Sequence, residues 1–384
     1  MKDKNKHAPD FVILFVTFAL VSIGIIMVFS SSAYVAIISH SDQFHFLRLQ
    51  LLFVLIGLGV LIFAMYFNYN HILLHIGAPI SLILVLGWLT ATFLTGQEVS
   101  GATRWIDVGV RPFQPSEFAK VFMVIFIAWY LHIRHRHLQD FWKGLMPPVV
   151  TLSIVCVLIA AQPDIGTAAV IAGTVLLLCA IAGAKILHLA VVATAGALAS
   201  GLYIISRSYM MMRIDAFLNP HENPLGASYQ SIQSLLAFGS GGFSGSGLGQ
   251  GMQKLHIPAV HTDFIFAVIG EELGFIGAGL VLILFMVFLW RGFEIASAAP
   301  DNFGRFLAAG ITIMICFQAF LNIGVAIGAL PVTGITLPFI SYGGSSLIAT
   351  MWGTGILLNV SRYKKTDRAK KSYLAADDHF KRSA

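Results

Sequence analysis

The sequence predicts an all-α polytopic membrane protein with ten transmembrane helices, both termini cytoplasmic, and a large extracytoplasmic loop between helices seven and eight. Three observations carry this. The 384 residues are 57% hydrophobic and 11% charged, with a mean hydropathy of +0.82, where a soluble chain carries roughly 25% charged residues. Apolar runs of about 20 residues recur, each long enough to cross a bilayer as a helix, and their continuity excludes an alternating strand barrel. Finally, Lys and Arg are shared unequally between alternate connections, which sets orientation.

The expected spans are residues 11–31, 47–67, 72–94, 117–133, 145–161, 165–183, 186–206, 264–290, 305–328 and 345–361. The first follows Lys2, Lys4 and Lys6 and is too long for a signal-peptide core, so it reads as an uncleaved anchor. With the N-terminus inside, the inner side collects those lysines, Arg134, Arg136, Lys143, Lys185, Arg291, Arg305 and eight residues between Arg362 and Arg382, 17 of the 24 Lys and Arg. The organisation is then a cytoplasmic N-terminus (1–10), a membrane domain (11–361) and a basic cytoplasmic tail (362–384). A basic tail beside the last span suits anionic membrane lipid, so the net charge of +6 does not point to nucleic acid. Cys156, Cys179 and Cys316 all fall in apolar runs and read as small core residues, with no disulfide framework or metal spacing.

The outer connections are the informative ones. Two are long (95–116 and 207–263) and a third (329–344) is rich in Gly and Pro; long loops between compact elements tend to be functional. Seven basic residues lie on or near this side against the usual bias: Arg48, Arg104, Arg111, Lys120, Arg207, Arg213 and Lys254. A polyanionic ligand at the outer leaflet gives them a purpose.

The stretch from His261 to Gly274 places one carboxylate, Asp263, where the long loop enters span eight, and two more, Glu271 and Glu272, inside the span. Acids at such depth face a protein interior or an aqueous cavity. Glu271 lies roughly 12 Å deeper than Asp263 and about 80° around the helix, and Glu272 is nearly opposite. These two are expected to pack against polar partners such as Gln318 or Asn322 in span nine. Ser116 reads as a helix N-cap after Pro115. Glu117 and Lys120, three apart, share a face; they are either a self-neutralising ion pair or, with Arg104, a phosphate contact in which Glu117 orients Lys120. Asp164, in the short turn between spans five and six, is either a helix cap or a metal or substrate contact. The glycine-rich segment 239–251 lacks the strand, helix and Lys-Ser/Thr of a nucleotide loop and reads as a turn with close backbone approach. No Ser-His-Asp or Cys-His arrangement is legible.

Taken together, the motifs Arg104-Trp105-Ile106 with Phe113 to Lys120, Gln162 to Thr167, the glycine-rich stretch, His261 to Gly274, and Leu330-Pro331 with Thr336 to Ser346 resemble the SEDS family (shape, elongation, division and sporulation), which includes FtsW, RodA and SpoVE. The resemblance covers nearly the whole chain, and Gly334-Ile335-Thr336-Leu337-Pro338 is closer to the FtsW and SpoVE branch. One departure is Pro258-Ala259-Val260, where the family usually has Glu after the Pro.

The resemblance implies a peptidoglycan glycosyltransferase of the bacterial cytoplasmic membrane that polymerises lipid II. The implied partners are a class B penicillin-binding transpeptidase and proteins of division, elongation or sporulation. It puts Asp263 at the essential aspartate and Arg104, Glu117, Lys120 and Asp164 at further functional positions. Arg213, Lys254, His261 and Ser341 are expected among the substrate contacts as well. The chemistry agrees. Joining a sugar 4-hydroxyl to an anomeric carbon with loss of undecaprenyl diphosphate needs the leaving group's charge neutralised, by Lys and Arg or by a divalent cation such as Mg or Mn. An α-linked donor giving a β-product needs one displacement, hence one general base, which Asp263 would supply. Two other readings fit parts of the pattern: a lipid II flippase, for which ten spans and a basic cavity are equally natural, and a catalytically silent scaffold. The crowding of the motif residues on the outer face favours the enzyme.

Overall fold

The computed structural model describes residues 7–67, 69, 73, 77–99, 102–107, 112–222, 224, 226 and 228–363. The three N-terminal lysines, the start of the third expected span, Arg111 and the tail beyond Tyr363 lie outside them. The chain is mostly helical: α1 (Phe11–His40), α2 (His45–Tyr66), α3 (Ala78–Thr95), α4 (Pro115–Arg134), α5 (Met146–Ala160), α6 (Ile165–Ile181), α7 (Ile186–Ile205), α8 (Ser208–Leu218), α9 (Tyr229–Gly241), α10 (Ile265–Ala298), α11 (Asn302–Ala326) and α12 (Gly344–Ser361). A helix stands at each of the ten expected positions. Among the described residues seven helical stretches are long and apolar enough to cross a membrane, while α3 and α6 are shorter apolar helices. α8 and α9 lie within what the sequence presents as a loop.

Two expectations need correcting. The connection 95–116 carries a small antiparallel sheet, β1 (Gln97–Val99), β2 (Ala102–Asp107) and β3 (Pro112–Phe113), paired in that order. Strands this short leave too little alternation to stand out beside 20-residue apolar runs. Ser116 is also not the N-cap of α4. Gln114 holds that position and Pro115 takes the first helical turn, where its missing N–H costs nothing.

The core forms around α11, which is buried along most of its length and packs against α10, α4, α6 and α12. α7 buries none of its residues. At one end of the bundle the start of α1 meets the ends of α10 and α12. Asp10 caps α1 through Val12 N–H and Ile13 N–H, receives Arg291 at 2.8 Å, and its own N–H donates to Ser361 Oγ at 3.0 Å.

α10 is broken at Gly274 (φ 65°, ψ −163°), and the glycine-rich segment explains how the break is tolerated. A broken helix in an apolar setting orphans carbonyls before the kink and N–H groups after it. Ser246 N–H and Gly247 N–H donate to the Glu271 and Glu272 carbonyls, while Phe275 N–H and Ile276 N–H donate to the Gly242 and Phe243 carbonyls. Gly245 has to be glycine for this fit: its φ is +84°, and a Cβ there would lie 2.1 Å from the Glu272 carbonyl oxygen. The close backbone approach expected of this segment is thus made with α10.

Candidate functional site

At the bundle end opposite Asp10, five segments of the chain converge on one cleft of about 280 Å³. β2 brings Arg104 and Trp105, the α5–α6 turn brings Pro163, α8 brings Tyr209 and Arg213, the approach to α10 brings Thr262 and Asp263, and the α11–α12 connection with the start of α12 brings Gly334, Thr336, Tyr342, Gly343, Ser345 and Ser346.

Each charged group in the cleft is held from behind. Arg104 Nε donates to the Gln162 carbonyl at 3.2 Å and its Nη2 to the Pro163 carbonyl, and Nη1 stands 3.8 Å from Asp164 Oδ1. Asp164, 1% exposed, also accepts from Ser116 Oγ at 3.2 Å and Gln114 Nε2 at 3.4 Å. It caps α6 as well, through Thr167 N–H at 3.3 Å. The cap reading of Asp164 therefore holds, and the same carboxylate stands behind Arg104. Arg213 lies over the Tyr209 ring, 4.7 Å from its centroid, and donates to the Val332 carbonyl at 3.0 Å. Arg213 is thereby fixed by neutral partners and Arg104 by two carbonyls and Asp164, so both guanidiniums stay at the cleft wall.

Asp263 sits just before α10, half-buried. Its main chain is pinned from two sides: Asn322 Nδ2 donates to the Asp263 carbonyl at 2.8 Å and to that of Ile335 at 2.7 Å, and Ser341 Oγ donates to the Thr262 carbonyl at 2.6 Å. A methyl added at Gly334 would lie 3.6 Å from Asp263 Oδ2 and 3.9 Å from Arg104 Nη1, so carboxylate and guanidinium border the same small space. Burial pushes the Asp263 carboxyl up from 3.8 to about 6, against the lowering by Arg213 and Arg104. Desolvation outweighs two cations because it penalises the charge at zero distance. The group is then a base poised near neutral pH.

The other expected site residues are placed differently. Ser341 is buried; its hydroxyl accepts from Leu337 N–H at 2.8 Å and anchors Thr262, so it holds the loop that carries Asp263. His261 wedges its ring between Phe46 and Tyr342, at 4.8 and 5.5 Å between centroids; burial lowers its pKa to about 4, which keeps it a neutral packing group. Glu117 and Lys120 form a buried pair at 2.7 Å, with Lys120 Nζ also donating to Gln318 Oε1 at 2.5 Å. The two charges neutralise each other, and neither side chain lines the cleft.

Lys254, expected among the substrate contacts, instead turns away from the cleft: its Nζ meets Glu272 Oε1 at 2.5 Å, the Gly249 carbonyl at 3.0 Å and Ser30 Oγ at 3.1 Å. Glu271 accepts from Gln253 N–H at 2.7 Å and Lys254 N–H at 3.1 Å. The partners of both carboxylates are therefore Ser30 of α1 and the Gln253-Lys254 stretch just after the glycine-rich segment, rather than Gln318 or Asn322. Those two amides serve the Asp263 side of α11. Sequence reading did not single out Tyr209, Trp105, Thr336, Ser345 or Ser346 as site residues; the Ser-Ser pair opening an apolar helix was the available signal. Among the described residues no three His, Cys, Asp or Glu side chains converge to hold a metal, and the cleft's positive charge comes from Arg104 and Arg213.

Comparison with known proteins places this geometry in context. The FTSW_RODA_SPOVE family model, described as cell cycle protein, matches residues 11–366. Stage V sporulation protein E of Bacillus subtilis (strain 168) is 42% identical over 364 residues, covering 94% of this chain and 99% of its own. A probable peptidoglycan glycosyltransferase FtsW of Geobacter sp. (strain M18) is 40% identical, covering 92% and 96%. Among solved structures, a chain from work on the structural coordination of polymerization and crosslinking by a peptidoglycan synthase complex superimposes with a TM-score of 0.77 at 32% identity. The match covers 92% of this chain and 98% of that one.

Proposed function

The chain belongs to the cell cycle protein family of FtsW, RodA and SpoVE, and we propose that it is a peptidoglycan glycosyltransferase that polymerises lipid II at the outer face of the bacterial cytoplasmic membrane. On this reading the ten helices α1–α7 and α10–α12 span the membrane with both termini inside. The observation that carries the proposal is the single cleft shared by the Asp263 carboxylate and the Arg104 and Arg213 guanidiniums.

In the proposed reaction the guanidiniums bind the diphosphate of the lipid-linked donor and neutralise the charge that grows as it leaves. Asp263 accepts the proton of the attacking 4-hydroxyl. The new bond forms as the anomeric C–O bond breaks, with inversion, and no covalent enzyme intermediate arises. The family description, cell cycle protein, and the sporulation protein among the relatives support a setting in cell division or sporulation. A class B penicillin-binding transpeptidase is the proposed partner, supported by the similarity to a chain from a complex that couples polymerization and crosslinking.

The test is polymerisation of labelled lipid II by the purified protein, alone and with a class B penicillin-binding protein, for wild type, Asp263→Asn and Asp263→Ala. Glycan strands from wild type only are expected. Strands at wild-type rate from either variant would remove Asp263 from the chemistry. Protein-dependent movement of lipid II across vesicles with no polymer under any condition would replace the enzyme by a flippase.

A further inference from the structure

Beneath the cleft a chain of hydrogen bonds runs from a buried cation to two hydroxyls on the floor. Lys120 Nζ can only donate, so the Gln318 oxygen that it meets at 2.5 Å is the acceptor end of that amide. The Gln318 Nε2 is thereby turned to the α11–α12 connection, where it donates to the Thr336 carbonyl at 2.9 Å and to Thr336 Oγ1 at 3.3 Å. Thr336 Oγ1 in turn stands 2.7 Å from Ser346 Oγ. Two hydroxyls that share one hydrogen bond carry two protons between them, so one O–H is left over whichever donates. Both residues line the cleft, and that is where the remaining proton can point. Ser345 is arranged in the same sense: its oxygen accepts from Gln114 N–H at 3.1 Å, leaving its proton for the cleft.

We propose that Lys120 is a positioning residue that, through Gln318, sets Thr336 and Ser346 to present a hydroxyl donor to a phosphate or sugar oxygen of the ligand. Lys120 does not touch the ligand; it fixes which way the amide faces, and the amide fixes which lone pair of Thr336 is already used. The floor becomes a donor surface complementary to an acceptor-rich ligand, continuous with the Arg104 and Arg213 wall. Glu117 balances the Lys120 charge at 2.7 Å, so the arrangement adds direction without adding net charge. This rests on the reading of the cleft as a site for a lipid-linked diphosphate sugar.

Replacing Lys120 would strand Glu117, so the test leaves that pair intact. Gln318→Met keeps length and burial but removes the relay. Thr336→Val with Ser346→Ala removes the donors, and Thr336→Ser conserves them. Each full-length variant in detergent is first checked for wild-type thermal unfolding. Farnesyl diphosphate affinity and the KM and kcat of lipid II polymerisation are then measured. Gln318→Met and the double variant are expected to weaken farnesyl diphosphate binding and raise KM by roughly tenfold or more, the scale of a hydrogen bond lost to a charged oxygen. In both, kcat changes less, and Thr336→Ser stays close to wild type.

Wild-type affinity in Gln318→Met overturns the proposal, as does absence of farnesyl diphosphate binding by the wild type. Should Gln318→Met unfold, equal binding by Thr336→Ser and the double variant overturns it instead. The expected binding pattern without polymerisation by the wild type would leave this inference standing and remove the glycosyltransferase reading.

Discussion

Lys254 and Glu272 form a buried ion pair at 2.5 Å, 8% and 0% exposed at their side chains, and the pair ties the glycine-rich segment to α10 just before its break. Ser30 of α1 donates to both Glu272 oxygens, at 2.7 and 2.6 Å, so three separate stretches of chain meet on one carboxylate. Nine residues after Lys254 comes Asp263. The clamp therefore holds the segment that delivers the proposed base.

Removing one partner of this pair should cost far more than removing both. Lys254→Ala leaves Glu272 buried with a hydroxyl for company, a loss of about 3–5 kcal/mol for a broken buried pair. Lys254→Met with Glu272→Leu should recover much of it. Thermal unfolding in detergent measures both; a single variant as stable as wild type would show that the pair holds nothing.

The raised Asp263 pKa predicts two pH effects of opposite sign. As a base the carboxyl works only when ionised, so polymerisation should rise with pH around 6. In the fold its ionised form is disfavoured. The stability associated with the neutral carboxyl is therefore fully present below its ordinary value near 3.8 and lost as pH rises through about 6. Asp263→Asn should accordingly unfold at a higher temperature than wild type at pH 7.5 and lose that advantage near pH 4. A variant less stable than wild type at pH 7.5 would contradict the desolvation account.

Gly274→Ala tests the break in α10. Its φ of +65° lies in the region that glycine adopts freely, and a Cβ would come 2.3 Å from the Gly245 nitrogen. Backbone strain alone contributes roughly 1–3 kcal/mol, and the contact with the glycine-rich segment adds to it. The expected result is a lower unfolding temperature together with lost polymerisation. An unchanged unfolding temperature would mean that the close packing of segment and helix is dispensable.

Arg213→Ala should separate binding from folding. The side chain is stacked on Tyr209, donates to its hydroxyl and is tied to one carbonyl, and its loss still leaves Asp263 facing Arg104. KM for lipid II should rise by roughly 10- to 100-fold, as for a lost charge-assisted contact, with little change in unfolding temperature. Arg104→Ala differs because Arg104 also faces the buried Asp164; it should lower both affinity and stability. Equal stability losses in the two variants would show that Arg213 is as structural as Arg104.

Much of the fold was legible because span formation is a local property. A run such as Asn302–Ala326 is apolar enough by itself to require helix in lipid, since only internal hydrogen bonding satisfies its backbone there. Asp263, Arg104 and Arg213 were legible for a related reason: charges in or beside apolar runs stand out, and the cleft brings these three together. Lys254 stands out in the same way, yet its ammonium meets Glu272, Gly249 and Ser30 rather than the cleft. Nothing near it in sequence reveals that Glu272, 18 positions on, and Ser30, on another helix, enclose it.

The sequence by itself determined the membrane class, the helix positions, the family and the acid at the head of α10. The tertiary structure decided which polar groups reach a ligand and which satisfy each other. Arg104 and Lys120 look alike as basic residues in an outer motif, yet one borders open space and the other ends on Glu117 and Gln318. The physical reason is that a buried polar group must find its partner at hydrogen-bond distance. In this bundle those partners come from helices remote in the chain, a pairing that exists only once the helices have packed.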